Sequence, residues 1–170
     1  IFSLFTHCIM IQEANSNLNF ARLSDVYSDE LLSHMSDRRV AEHMPLLTFE
    51  WDKQAVANFV ATKEACWERD GLGHWAFLSD GCYVGWGGFQ KEGDEWDFGL
   101  VLRPDKFGFG PRIARKALSF ARADERIPFV TFLLPPSRQH LRGLERLGAR
   151  FLKTVDYEGY EFLKYRLETV

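Results

Sequence analysis

One stretch of the 170-residue chain gathers two close glycines, several cations and an acid. It reads Asp97-Phe98-Gly99-Leu100-Val101-Leu102-Arg103-Pro104-Asp105-Lys106-Phe107-Gly108-Phe109-Gly110-Pro111-Arg112. The apolar alternation up to Arg103 reads as a strand, and the segment from Pro111 as a helix. Gly108 and Gly110 between them would let the backbone turn until successive N–H groups point to one spot. The start of the helix adds the positive end of its dipole there. Arg103, Lys106, Arg112 and Arg115 surround the same spot, which suits a phosphate or pyrophosphate. The bland alternative is a tight turn that happens to precede a helix. Two other phosphate-binding patterns are absent: there is no G-x-x-x-x-G-K-[ST], and the glycines do not form G-x-G-x-x-G with an acid about 20 residues on.

The flanking pattern says what must hold this stretch in place. Leu18 to Leu23 alternates as a strand, and Ser24 offers a cap for a helix carrying Leu31, Leu32 and Met35. A second helix is predicted from Asp52, with Val56, Phe59, Val60, Lys63 and Trp67 on one side and Gly71 past its end. Between them, 36–51 reads as a loop. Three strands follow: His74 to Ser79, Cys82 to Gln90 and Asp94 to Arg103, the first two joined by the hairpin pair Asp80-Gly81. After the helix of 111–122 come a fully apolar strand, Phe129 to Leu134, and a helix over Ser137 to Leu147. A hairpin of Ala149 to Val155 and Tyr160 to Glu168 turns around Glu158-Gly159. The order β-α-α-β-β-β-α-β-α-β-β predicts a single α+β domain, its sheet antiparallel at first and parallel at the one crossover.

Composition sets the frame. Hydrophobic residues make up 46% and aromatics 15%, enough for a substantial core. The net charge of −3 argues against nucleic acid as a partner. Cys8, Cys66 and Cys82 form no C-x-x-C pair, so neither a metal site nor a disulfide framework is expected, which fits a cytoplasmic protein. The apolar run Ile1 to Ile11 is too short to span a membrane and lacks the flanks of a signal peptide. Residues 1–17 are set aside as an N-terminal extension, with Met10 as a candidate natural start, and the domain is placed at 18–168. His34, His43 and His74 lack ligand spacing and are expected to be surface or satisfied polar groups.

The element order and the 97–112 segment resemble the GNAT superfamily of N-acetyltransferases, and within it the RimJ/RimL-like branch. The residues carrying the resemblance are Asp97-x-Gly99, Pro104, Phe107-Gly108-x-Gly110, and Ser137-x-x-His140 followed by Leu147-Gly148-Ala149. The likeness implies a single-domain fold with a mixed, mostly antiparallel sheet of about seven strands, helices on both faces, splayed where acyl-CoA binds. Acetyl-CoA would be the donor and co-substrate, with no metal. Its pyrophosphate would lie on the amides of Phe107, Gly108, Phe109, Gly110, Arg112 and Ile113, with Lys106 and Ser137 near. Its pantetheine arm would run along Leu100, Val101, Leu102 and Arg103, beside a bulge in that strand. Pro111 removes one amide from this cradle, and the Arg112 side chain could compensate.

The chemistry so implied needs a base, because an amine attacks a thioester only when neutral and a free lysine has a pKa near ~10.4. Asp97 stands where the family commonly has Glu and is the first candidate, with Glu95 second. Its bland reading is a solvated strand residue. Backbone N–H groups at Leu100 to Leu102 would stabilise the oxyanion. Leu144 occupies the place of the usual Tyr acid, leaving His140 as a hydrogen-bond donor near the sulfur or as a solvated side chain. Arg138 and Arg142 could reach the adenosine 3′-phosphate or form an exposed helix face. Trp86, Phe89 and Trp96, with Trp51, read as core, one or two of them lining an acceptor cleft. Asp156, Glu158 and Glu161 form a solvated turn or attract a cationic amine. The acceptor would be a protein N-terminus or a small-molecule amine, and the protein a monomer or a homodimer paired through an exposed final strand. A silent acyl-CoA-binding module and a cofactor-free interaction protein are the rivals.

Overall fold

Turn and cap chemistry explain where the elements start and stop in the computed structural model, which describes residues 15–47, 49–137 and 141–170. The elements are β1 (Leu18–Ala21), α1 (Ser28–Met35), α2 (Arg38–Ala41), α3 (Lys53–Asp70), β2 (His74–Ser79), β3 (Cys82–Glu92) and β4 (Glu95–Leu102). After them come α4 (Gly110–Ala123), β5 (Phe129–Leu134), α5 (Arg142–Arg146), β6 (Arg150–Tyr157) and β7 (Tyr160–Glu168). Helix α3 begins where Asp52 accepts the Ala55 N–H at 2.7 Å, and it ends at Gly71. The β2–β3 turn puts both Asp80 (φ 49) and Gly81 (φ 81) in the left-handed region, which suits the twist of a two-residue hairpin.

The seven strands form one sheet in the order β1-β2-β3-β4-β5-β7-β6. Every neighbouring pair is antiparallel except β4 and β5, which run parallel as the crossover demands. Each face carries a core. Phe77, Phe89 and Val130 pack against Ile113, Ala117, Leu118 and Ala121 of α4 on one side. Ala76, Tyr83 and Trp86 pack against Leu31 and Met35 of α1 and Val56 of α3 on the other. Each fully buried Leu, Ile or Phe contributes about 1.5–3 kcal/mol, so both helical layers are held mainly by their apolar stripes. The expected α+β architecture with helices on both faces is the one observed.

Four local expectations need correction. Ser24 caps no helix: it lies in a 3₁₀ turn, Leu23–Asp25, where Asp25 accepts the Arg22 N–H, and α1 starts four residues later. Within the segment read as a loop, Asp37 accepts the Arg39 N–H at 2.9 Å and starts α2. The helix expected over 137–147 is, among the described residues, only α5. The final strand β7 is interior, hydrogen-bonded to β5 on one side and β6 on the other, so the free edge belongs to β6.

The bulge expected in β4 is also absent. Its register with β3 runs unbroken from Gly85↔Leu102 to Glu92↔Glu95, and the shifts lie instead at Phe77/Leu78 and Phe151/Lys153. Close approach of β3 to β4 accounts for one of the unusual strand glycines. A Cβ on Gly87 (φ +153) would stand 2.2 Å from the Gly99 carbonyl oxygen.

Candidate active site

The sheet is splayed at its centre. β4 and β5 share a single register pair, Asp97↔Thr131. Past that rung Leu100, Val101 and Leu102 have no strand partner on the β5 side among the described residues, so backbone donors and acceptors line an open gap. An extended chain of amides can add to such an edge as a further strand does.

Beyond the gap, Pro104–Phe109 forms 3₁₀ turns kinked at Lys106 (φ −122, ψ 16), and α4 starts at Gly110. The glycines act differently from expectation. Gly110 is ordinary right-handed helix (φ −50, ψ −55), and a Cβ there would meet only ordinary contacts from 3.6 Å, so neither backbone freedom nor space within the chain demands glycine. Phe109 precedes the helix without a side-chain cap and Pro111 has no N–H, so in the first turn it is the Arg112 amide that is placed to meet another acceptor. The Gly110 N–H is bonded to the Phe107 carbonyl. Phe107 and Gly108 are exposed, Lys106 is half-buried, and the Phe109 and Ile113 side chains are sealed in the core. Neither of those two side chains can therefore reach a ligand. Arg103 makes a loose ion pair with Asp105 at 3.9 Å. The Arg112 side chain turns away to Ser16, donating to its hydroxyl at 2.9 Å and to its carbonyl. Ser137 is exposed, while His140 and Arg138 lie outside the described residues.

Asp97 sits at the rung where the gap begins, half-buried, with the Thr131 hydroxyl 3.3 Å from Oδ1 and 3.4 Å from the Trp96 carbonyl. Burial pushes its carboxyl up to about 7, opposed by the Thr131 hydrogen bond and Lys164 and helped by the nearby charges of Glu92 and Glu95. A carboxyl poised there can take a proton near neutral pH. Glu95 differs: Lys164 from β7 holds its carboxylate in an ion pair. The two acids therefore separate by environment, and Asp97 is the one left available.

The helical side of the same joint holds groups that sequence reasoning did not assign to the site. Lys63 of α3 donates to the Gln90 side-chain oxygen at 2.7 Å, and its ammonium lies 5.3 Å from the Trp86 ring centre and 5.7 Å from that of Phe59. Gln90 is the cross-strand partner of Asp97. Trp51 stacks edge-on to Phe59, whereas Phe89 and Trp96 belong to the opposite core. A cation within the otherwise apolar stripe Val56-Phe59-Val60-Lys63-Trp67 was the available signal.

His74 also departs from expectation. It is buried, its Nδ1 lacks a partner, and burial holds it well below the usual range, hence neutral. His34 is buried too, satisfied at Nδ1 by the Tyr83 hydroxyl at 2.7 Å. From the β6–β7 turn, the Tyr157 phenol is raised chiefly by the charge of Glu92, then by burial, Glu158 and Asp97. That hairpin tip thus shares the field of the joint. Among the described residues no cluster of His, Cys, Asp and Glu could hold a metal, and no helix is long and apolar enough to cross a membrane.

A family model described as "Acetyltransferase (GNAT) domain" matches residues 17–150. A search of curated protein sequences finds no match. Solved structures are similar in fold. A GnaT-family acetyltransferase from Bordetella pertussis superposes with a TM-score of 0.72 at 18% identity, covering 89% of this chain and 95% of that one. The spermidine N-acetyltransferase of Vibrio cholerae, solved with CoA and spermine, gives 0.71 at 7% identity over 92% and 96%. An aminoglycoside acetyltransferase solved with coenzyme A and kanamycin gives 0.70 at 13% identity over 91% and 95%.

Proposed function

The chain belongs to the acetyltransferase (GNAT) domain family, and from that premise we propose that it transfers acetyl from acetyl-CoA to a primary amine by direct attack. The observation carrying the proposal is the joint itself, an unpaired β4 edge that begins at a half-buried carboxyl of raised pKa. The residues present fit the donor: the free edge at Leu100 to Leu102 suits an amide-bearing arm, and the uncapped start of α4 suits its phosphates. Bound acetyl-CoA supplies the activated acetyl group. Arg103 and Lys106 add positive charge where the phosphates would lie, and Arg112, in the first turn, offers its backbone N–H. Asp97 accepts a proton from the incoming amine at its carboxylate, with Thr131 fixing one oxygen. Lys164 engages the Glu95 carboxylate in an ion pair.

The spacing Asp97-x-Gly99, Pro104 and Phe107-Gly108-x-Gly110 supports placing the chain in the RimJ/RimL-like branch, and three widely spaced cysteines in the sequence support a cytoplasmic setting. The free β6 edge is compatible with a monomer or a homodimer. The proposal is tested by pairing a CoA thermal-shift titration with thiol release from acetyl-CoA across a panel of amines. The expected result is a rise in Tm with CoA together with amine-dependent thiol release. A rise in Tm without release would instead make the domain a silent acyl-CoA binder, and no rise would remove the cofactor altogether.

A further inference from the structure

A half-buried ammonium without an anionic partner is an expensive thing to keep beside a catalytic carboxyl. Lys63 is such a group. Its donors find one amide oxygen, on Gln90, and two aromatic faces, while no carboxylate of the described residues pairs with it. Burial lowers its pKa, partly offset by the charges of Cys66, Glu92 and Asp97. An ammonium has three donors, so two remain for something else.

The placement of those donors is specific. Gln90 and Asp97 face each other across β3 and β4 in direct register, so their Cβ atoms are about 5 Å apart. Gln90 holds the Lys63 ammonium at 2.7 Å, on the side of the sheet that carries Trp86 and Phe59. The Gln90 and Asp97 side chains lie on one face and the Asp97 charge acts on Lys63, which puts the carboxyl and the ammonium on the order of 10 Å apart. Two hydrogen bonds of about 2.8 Å plus an amine-to-carboxylate span of about 3 Å fill such a gap. An acceptor with both groups on one carbon meets the site at each end, its amine on Asp97 and its carboxylate on Lys63. An acceptor with several ammonium groups meets a like charge instead.

We propose that Lys63 is a specificity-determining residue whose free donors bind a carboxylate on the acceptor, so that the acceptor is an amine bearing a neighbouring carboxylate, an α-amino acid being the simplest case. This rests on the acetyl-transfer reading above. The charge-assisted contact sets preference and leaves the acetyl chemistry to Asp97.

The test compares matched trios of one side chain: free amino acid, amino acid amide and decarboxylated amine, for instance phenylalanine, phenylalaninamide and phenethylamine, across a range of side chains. kcat/KM is measured for the natural protein, Lys63→Met, which keeps the apolar stem, and Lys63→Arg. The acid should exceed its amide by roughly 10- to 100-fold, the range of a charge-assisted hydrogen bond. That ratio should fall to near one in Lys63→Met and persist in part in Lys63→Arg. Amides or simple amines that match or outrun the acids in the natural protein would overturn the proposal while leaving acetyl transfer intact, as would a ratio unmoved in Lys63→Met. Should no member be acetylated, binding of N-acetylphenylalanine against its amide to the CoA-loaded protein decides the matter by calorimetry. A carboxylate preference lost in Lys63→Met upholds the site and sinks the catalytic reading, whereas equal or absent binding sinks the site.

Discussion

Replacing Asp97 with Asn separates what the carboxyl does for catalysis from what it does to stability. Asn keeps the shape and can still accept from the Thr131 hydroxyl, which lies 3.3 Å from Oδ1. Removal of a positioned base lowers turnover by about 10²–10⁴-fold, so kcat should fall by at least about 100-fold at pH 8. Stability should move the other way. The carboxyl rises from 3.8 to about 7 on folding because burial disfavours its charge. The folded state therefore binds the extra proton between those values, and the associated stability is full below 3.8 and lost as pH rises through 7. The difference corresponds to about 4 kcal/mol as an upper bound, reduced by the solvent that reaches a half-buried group. Asn never ionises, so the variant should already show about a third of its advantage at pH 5 and all of it at pH 8.5. At roughly 2–4 °C per kcal/mol for a chain of this size, a gain of at least about 4 °C is expected at the higher pH. Thermal melts of both proteins at the two pH values, with initial rates at pH 8, make the measurement. A Tm difference that does not grow with pH would refute the burial argument, and a variant retaining a tenth of its activity would refute the role.

Other outcomes follow from the same structure. Lys164→Met removes the cation that holds Glu95 and lowers the Asp97 carboxyl, so the midpoint of the pH–rate profile should move above 7; a shift toward acid would contradict the coupling. His34 is lowered by burial to about 4 and His74 well below its usual range. Both lend stability that is full above pH 6.5 and lost as pH falls, His34 alone by about 3 kcal/mol. Urea midpoints taken in the Asp97→Asn background should drop between pH 7 and pH 4.5, and a flat profile would speak against buried neutral imidazoles. Gly87→Ala places a Cβ 2.2 Å from the Gly99 carbonyl and should cost at least about 3 kcal/mol. The same change at Gly93, where nothing lies within 4 Å, should cost only the left-handed backbone term of about 1 kcal/mol, and equal melts would show that β3 and β4 can move apart.

Local signals in the chain carried the elements, and distant pairings did not. β2 and β7 meet the turn pairs Asp80-Gly81 and Glu158-Gly159, and β5 lies between Pro128 and Pro135, so all three run where the sequence places them. Ser24 misled because its neighbour Asp25 bonds back to Arg22 and closes a 3₁₀ turn first. The position of β7 inside the sheet depends on partners more than twenty-five residues away, Phe129–Leu134, and no short-range pattern encodes it. At the site, Asp97 was legible from its place in the strand. Its poised state was not, since that arises from burial at a joint between strands thirty-four residues apart. Lys63 and Gln90 are twenty-seven residues apart, and only the fold turns a stray cation on an apolar stripe into a neighbour of the base.

The strand order β5-β7-β6 has a bearing on how the chain is made. During synthesis β6 leaves the ribosome before β7, the strand that pairs with it, and β5 must wait through α5 and β6 for the same partner. For that interval the edges of β5 and β6 that β7 will pair are sticky surfaces with nothing to cover them. β7 then has to slide between two strands already present, a non-local step that slows folding. Truncation within Tyr160–Glu168 therefore detaches β6 from the rest of the sheet in addition to removing a strand. Such products should be the ones that cells hold on chaperones.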